Sequence, residues 1–417
     1  MTESAQLITD MGRKARAAFT MLAGVSDAQK SEALTAAARH LRASQATILA
    51  ANQRDMESAR ERGLSDAMLD RLMIDEGRLE AIAAAVENVA NLPDPVGQII
   101  DRSERPNGLV MERIRVPLGV IGIIYESRPN VTADAAALAL RSGNAVILRG
   151  GSEAIESNRA IFDAMTAGVV EAGLAEHAIQ LVQTTDRAAV GAMLKASGLI
   201  DIIIPRGGKS LVKRVQDEAS VPILAHLDGI NHTYIGKDAD PDKAIAIAVN
   251  AKMRRTGVCG AMETLLIDQD YRAPGALVRA LIDAGCEVRG DDAVLELDER
   301  IVSAEAADWD TEYLAPIVAV AMVNGVDQAL EHIADHGSHH TDVIVTEDTA
   351  IAEKFIQCAD SAIVMHNASS QFADGGEFGL GAEIGISTGR MHARGPVALE
   401  GLTTYKWVVR GTGQVRP

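Results

Sequence analysis

The chain has 417 residues, room for two to three domains at about 150 residues each. Its 47% apolar and 24% charged residues, with 36 Gly and 12 Pro, are the proportions of a globular protein and exclude disordered and fibrous chains. A net charge of −18 repels phosphate backbones and anionic lipid, and 5 Phe, 5 Tyr and 2 Trp are too few for base-stacking platforms, so nucleic acid and membrane are excluded as partners.

The first hundred residues read as helices, with Ser26 and Ser65 as N-caps, Gly63 as a stop between them, and Pro93 with Pro95 closing the segment. From residue 109 the period changes. Strand-like stretches at 109–116, 119–125, 145–149, 179–183 and 200–205 alternate with helical ones at 132–142, 153–172, 186–196 and 209–218, which is the pattern of βαβ units on a mostly parallel sheet. After His226 it restarts with strand 232–236, helix 240–252 capped by Asp240 with Pro241 in its first turn, strand 264–268 and helix 273–284. Strand and helix then follow in pairs through 317–323, 326–336, 342–346 and 349–359. A Gly-rich stretch from Gly375 to Gly389 leads to a strand-like tail at 403–410, where Tyr405, Trp407 and Val409 share one face. The longest apolar runs, 116–125 and 315–323, fall short of the roughly 18–20 residues that cross a bilayer. The first ten residues lack the basic start and apolar block of a secretory signal, and the expected location is the cytoplasm.

The three cysteines, Cys259, Cys286 and Cys358, form no CxxC pair, which excludes a zinc clip and a disulfide framework, and no metal is expected. Cys358 stands at helical spacing from Ile351 and Phe355 and is expected in a core; Cys286, between a helix end and a short strand, is expected to be structural too. Cys259 lies in a Gly-flanked loop, Thr256-Gly-Val-Cys-Gly260, just before a strand and within seven residues of Lys252, Arg254 and Arg255. Cations and backbone N–H groups lower a thiol's pKa, so Cys259 reads either as a nucleophile or as a buried structural cysteine. No phosphate-loop fingerprint of the G-x-G-x-x-G or G-x-x-x-x-G-K-[ST] kind occurs between a strand and a helix. Leu148-Arg-Gly-Gly-Ser152 and Pro205-Arg-Gly-Gly-Lys-Ser210 do join glycine to cations, and read as phosphate-binding helix starts or as plain turns. His332 and His336, one helical turn apart and followed by His339 and His340, have ligand-like spacing, but a solvated helix end accounts for the first two without a metal.

Five segments are more telling together. Ile124-Tyr-Glu-Ser-Arg-Pro-Asn-Val-Thr-Ala-Asp134, Ser142-Gly-Asn-Ala-Val-Ile-Leu-Arg-Gly-Gly-Ser-Glu153, Val258-Cys-Gly-Ala-Met-Glu-Thr-Leu-Leu266, His340-Thr-Asp-Val-Ile-Val-Thr-Glu-Asp348 and Gly381-Ala-Glu-Ile-Gly-Ile-Ser-Thr388 with His392-Ala-Arg-Gly-Pro396 closely resemble the γ-glutamyl phosphate reductases, within the aldehyde dehydrogenase superfamily. The likeness runs end to end. It implies an aldehyde dehydrogenase-like α/β fold with a Rossmann-type NADP-binding domain (1–100 and 121–225), an α/β catalytic domain (226–385) and a small β oligomerisation element (101–120 and 386–417). It also implies NADPH-dependent reduction of L-glutamate 5-phosphate to L-glutamate 5-semialdehyde and phosphate through a cysteine thioester, the second step of proline biosynthesis from glutamate.

Carried over position by position, the resemblance makes Cys259 the nucleophile and Asn130 the amide that joins the Cys259 backbone N–H in an oxyanion hole. Arg149, followed by Gly150 and Ser152, matches the strand end at the adenosine ribose, where a basic residue and no acidic one favours the 2′-phosphate of NADP(H). Arg206, Gly207, Gly208 and Lys209 fall at the cofactor-phosphate helix start, and Glu312 matches the glutamate that holds the nicotinamide ribose. Oxidising members of the superfamily carry a water-activating glutamate before a Leu-Gly-Gly run; here His226-Leu-Asp-Gly-Ile230 puts His226 in that place, which suits a thioester that must not be hydrolysed. Arg128, Arg254, Arg255, His339 and Arg394 are the candidates for gripping the substrate's phosphate and carboxylate. The expected partners are that small-molecule substrate, a second copy of the chain in a dimer or dimer of dimers, and transiently glutamate 5-kinase. A coenzyme-A-dependent acylating aldehyde dehydrogenase is the competing enzyme, and an α/β nucleotide-binding scaffold with an inert Cys259 the competing non-enzyme.

Overall fold

The structure is a computed structural model that describes residues 2–416. The chain divides into two compact units: one runs up to Ala225 and takes in Leu380–Gly385 and the chain from Val397, and the other comprises His226–Gly379 and Ile386–Pro396. Residues 380–385 therefore belong with the first unit and 386–396 with the second.

In the first unit five helices, Glu3–Leu22, Asp27–Ala43, Gln45–Glu61, Asp66–Leu72 and Glu76–Asn91, account for the opening hundred residues. Ser26 closes a capping box with Gln29, and Gly63 takes the positive φ of 72° that ends a helix cheaply. Four parallel strands follow in the spatial order Ile179–Leu181, Ala145–Arg149, Val120–Tyr125, Ile202–Arg206. Every residue of the two middle strands is buried, so they read in the sequence as unbroken apolar runs and not as alternating ones. Helices Asn130–Arg141, Ile155–Glu171, Arg187–Leu194 and Lys209–Glu218 lie between and after these strands in the chain.

The same unit carries a three-stranded antiparallel sheet, Ile99–Glu104, Val110–Pro117 and Thr403–Arg410, with Thr403 opposite Pro117 and Arg410 opposite Val110. Its first strand escaped the sequence reading for a physical reason: five of its six residues are exposed, so no burial pattern was imposed on them. Tyr405, Trp407 and Val409 stand on the outer strand with about half their surface exposed, and the Arg113 guanidinium lies 5.2 Å from the Tyr405 ring and 5.7 Å from that of Trp407.

The second unit is built on seven parallel strands in the order Val302–Ser303, Glu287–Gly290, Ile317–Val323, Met262–Asp268, Asn231–Ile235, Thr341–Val345, Ile363–His366. Successive residues of a strand face opposite sides, and each side has its own core. Tyr234, Leu266 and Ile344 pack with Val326, Ala329, Ile333 and Phe355 from helices Gly325–His336 and Thr349–Cys358. Their chain neighbours Ile235, Leu265, Val343 and Val345 pack with Ala244, Ala248, Leu277 and Leu281 from helices Pro241–Met253 and Pro274–Asp283.

Cys358 does not reach a core as its spacing suggested: it ends its helix, is exposed, and lies to one side of the buried stripe through Ala352 and Phe355. His332 is likewise not a solvated residue at a helix end. Its ring packs against Trp309, His232 and His336 at centroid distances of 5.3, 5.4 and 4.7 Å, and burial above all, with the two histidines, pushes its pKa down to about 3. Among the described residues no helix is long and apolar enough to cross a membrane.

Candidate active site

Strands Met262–Asp268, Asn231–Ile235 and Thr341–Val345 are parallel neighbours, so the loops entering them meet at one edge of the sheet. Each loop contributes one polar side chain: Cys259, His226 and His340. The Cys259 sulfur and one ring nitrogen of each histidine all lie within 4.8 Å of one another, and the two imidazoles meet edge to face at 5.1 Å. This cluster sits at the amino ends of the strands, opposite to the carboxyl ends where open α/β sheets usually take ligands.

The thiol's loop is fixed from several directions. The buried Asn231 donates its side-chain amide to the carbonyls of Cys259 (2.6 Å) and Ala261 (2.8 Å), and its Oδ1 accepts from the Thr341 N–H (3.1 Å), so one side chain ties all three loops. Gln371 donates to the carbonyls of Ala251 (2.9 Å) and Arg255 (3.2 Å), bracing the approach to the loop. Gly229 passes so close that a Cβ there would lie 2.9 Å from the Cys259 Cα and nearer still to its carbonyl oxygen; only a bare backbone fits. Beneath the loop, Lys252 and Glu263 form a fully buried ion pair at 2.5 Å, and burial pushes the Glu263 carboxyl up to about 7 against the pull of Lys252.

The three thiols differ. None is in a disulfide; Cys286 is buried, which pushes its pKa up to about 12, and Cys358 is exposed, while Cys259 is half-buried among the histidines. His226 Nδ1 lies 2.9 Å from the Ile386 carbonyl oxygen, which can only accept, so Nδ1 carries the proton. His340 is buried and its pKa is pushed down to about 3 by that burial and secondarily by His226, so the ring is neutral. The sequence singled out His226 by its place before Leu-Asp-Gly, but passed over His340 as a residue in a histidine run; the signal was its position at the head of the fourth resembling segment.

Other expected residues have nearer partners. Glu312 Oε1 accepts from the Gly229 N–H at 2.9 Å and so braces the backbone that abuts Cys259. Arg394 donates to the Asp360 carboxylate and carbonyl, both at 2.9 Å, and His339 Nδ1 lies 2.8 Å from that same carbonyl oxygen. Arg254 and Arg255 are exposed at the end of helix Pro241–Met253.

In the first unit the expected cofactor residues gather at the carboxyl ends of the strands. Arg149 is only 8% exposed; it donates to the carbonyls of Gly150 (2.9 Å) and Thr185 (3.3 Å), and its Nε has no partner. A small pocket opens there, bounded by Gly150, Gly151, Ser152, Asn158, Thr184 and Thr185. A Cβ on Gly150 would run into the Asn158 amide and stand 3.1 Å from the Tyr125 ring. At the next junction Arg206, Gly207 and Gly208 lead into helix Lys209–Glu218, and the Gly208 N–H donates to the Glu126 carboxylate at 3.1 Å. A helix start that already receives an anion, an unpartnered buried guanidinium nitrogen and glycines that keep backbone bare fit a phosphate-bearing cofactor. Asn130 opens helix Asn130–Arg141, where its amide donates to Asp134 (2.9 Å), a carboxyl that burial pushes up to about 6. Arg128 precedes it in the turn, its carbonyl accepting from the Val131 N–H at 3.0 Å.

The aldehyde dehydrogenase family model matches residues 2–294. Gamma-glutamyl phosphate reductase of Rhizorhabdus wittichii is 68% identical over 415 residues, covering 100% of this chain and 97% of its own. The corresponding protein of Zymomonas mobilis is 61% identical over 414 residues, 99% of this chain and 97% of its own. The crystal structure of gamma-glutamyl phosphate reductase from Thermotoga maritima matches with a TM-score of 0.96 at 42% identity, over 98% of this chain and 100% of that one. An acetylating aldehyde dehydrogenase from Geobacillus thermoglucosidasius shares the fold, at a TM-score of 0.69 and 18% identity over 100% of this chain and 98% of that one. Likeness of this strength along the whole length places the chain in the gamma-glutamyl phosphate reductase family, a branch of the aldehyde dehydrogenases.

Proposed function

We propose that the chain reduces L-glutamate 5-phosphate to L-glutamate 5-semialdehyde and phosphate with NADPH, the second step of proline biosynthesis from glutamate. The observation that carries this reading is the half-buried Cys259 thiol, outside any disulfide, on a loop braced by Asn231, Gln371 and Gly229 in a chain with whole-length reductase relatives. The Cys259 sulfur attacks the acyl carbon, phosphate leaves with its electron pair, and the glutamyl group is held as a thioester. Held by Arg149, Gly150 and the turn at 206–209, a bound nicotinamide cofactor would supply the hydride that reduces that thioester. The resulting hemithioacetal collapses, releasing the aldehyde and restoring the Cys259 thiolate. The Cys259 backbone N–H is one donor to the developing oxyanion, and the family resemblance assigns the other to Asn130. Among the described residues, the groups clustered with the sulfur are His226 and His340 and include no carboxylate of the kind that activates water in oxidising members of the superfamily.

NADP is the cofactor form we favour, because Arg149 ends its strand with an unpartnered nitrogen beside the pocket at Gly150. Arg206, Gly207, Gly208 and Lys209 would hold its phosphates and Glu312 its nicotinamide ribose. For the substrate's anionic groups Arg254 and Arg255 are the best placed, being exposed within five residues of Cys259, whereas Arg394 and His339 are engaged at Asp360; Arg128 is kept as a further candidate. Three cysteines outside any disulfide suit a reducing compartment, and we place the enzyme in the cytoplasm. Supplied with pyrroline-5-carboxylate and NADP, the enzyme is expected to produce NADPH absorbance only when inorganic phosphate is added. Production with coenzyme A in its place would make the chain an acylating aldehyde dehydrogenase instead.

We also propose that the strand Thr403–Arg410 pairs with a second copy of the chain. It is an edge strand with Tyr405, Trp407 and Val409 half exposed on one face, a surface that isolated sheets rarely leave uncovered. Deleting everything after Leu402 is expected to give monomers in size-exclusion chromatography, and an unchanged elution volume would contradict the assignment.

A further inference from the structure

We propose that His226, Cys259 and His340 form a reversible binding site for a divalent metal ion of the zinc class, which on binding takes the nucleophile out of service. A zinc ion with one sulfur ligand at about 2.3 Å and two imidazole ligands at about 2.0–2.1 Å sets its donors about 3.3–3.6 Å apart. The three donors here already lie within 4.8 Å of one another, so side-chain rotations of about 1 Å close the site. The loops that carry them enter three adjacent strands and are tied together by Asn231, so the backbone need not reorganise.

The outer nitrogens support the same reading. Ligating histidines generally use one ring nitrogen for the metal and the other for an orienting hydrogen bond. His226 Nδ1 is engaged by the Ile386 carbonyl (2.9 Å), and His340 Nδ1 by the Thr341 hydroxyl (2.9 Å). His340 is 1% exposed, and its Nε2 has no hydrogen-bond partner. Two imidazoles and a thiolate leave a fourth position for water or an anion, the ligand count of an open zinc site. Binding forms one metal–sulfur bond, releases the Cys259 thiol proton to solvent and changes no oxidation state. The ion would be an inhibitor and not a resident cofactor, because a sulfur bound to metal cannot attack an acyl carbon. CxxC spacing gave no hint of this site because its donors are far apart in the chain.

The site is independent of which acyl group the thiol carries, and none of its tests uses turnover. Titrating the full-length reduced enzyme with Co2+ is expected to produce thiolate-to-cobalt charge-transfer absorption that saturates at one ion per chain, is displaced by Zn2+ and is absent in Cys259→Ala. His226→Gln is expected to weaken Co2+ binding by at least about 100-fold, since even loss of an outer-shell partner commonly costs 10–100-fold. On the unmodified enzyme, equimolar Zn2+ should slow iodoacetamide alkylation of Cys259, followed on its own peptide by mass spectrometry, and a chelator should restore it. Absorption that persists in Cys259→Ala, unchanged affinity in His226→Gln, or alkylation indifferent to Zn2+ would each overturn the proposal.

Discussion

Cys259→Ser is expected to lower reduction of the acyl phosphate by at least about ten-thousand-fold, because a hydroxyl is far less ionised and less nucleophilic than a thiol and replacing a covalent catalyst removes the step that all later steps need. Serine is nearly the size of cysteine, and the Asn231 contacts are to backbone carbonyls of Cys259 and Ala261, so the loop keeps its supports. Arg149, Gly150 and Gly208, proposed above to hold the cofactor, belong to the other unit, so NADPH binding, measured by fluorescence titration, should stay within a few-fold of the unmodified enzyme. Turnover retained in this variant would remove the mechanism.

Gly229→Ala is expected to cut kcat/KM by about 100-fold, the scale of effect for a misplacement of about 1 Å at the reacting group. Its Cβ would stand 2.9 Å from the Cys259 Cα and must push the nucleophile's backbone or the Glu312-braced loop aside. Gly257 is the control, since it lies in the Cys259 loop itself, shows no positive φ, and has nothing within 4 Å of a Cβ; Gly257→Ala should keep its activity within a few-fold. Thermal unfolding separates a displaced thiol from a destabilised chain. Equal activity in the two variants would show that the close approach at Gly229 does not position Cys259.

Much of this architecture is legible in the sequence because parallel strands buried on both faces must be apolar throughout. Val120–Tyr125 and Ala145–Arg149 announce themselves in that way, as Asp240 and Pro241 announce a helix start that the structure completes with the bond from the Lys243 N–H to the Asp240 side chain. Where burial imposes no pattern the reading fails: Ile99–Glu104 is an exposed edge strand, and Cys358 shares a helical repeat with Phe355 yet falls beside the buried stripe. The site is less legible still. Local spacing left Cys259 open between nucleophile and structural residue, and His340 undistinguished, because what joins them is the adjacency of three strands distant in the sequence. The solvated helix end imagined for His332 ignored Trp309 and His232, which only the folded chain brings to it.

The central claim is covalent, and mass spectrometry tests it most directly. Enzyme mixed with L-glutamate 5-phosphate and quenched with acid, with hydride transfer blocked by leaving out reduced cofactor, should carry one glutamyl group on the peptide containing Cys259. The same mass on a peptide containing Cys286 or Cys358, or an unmodified chain under conditions where phosphate is released, would contradict it.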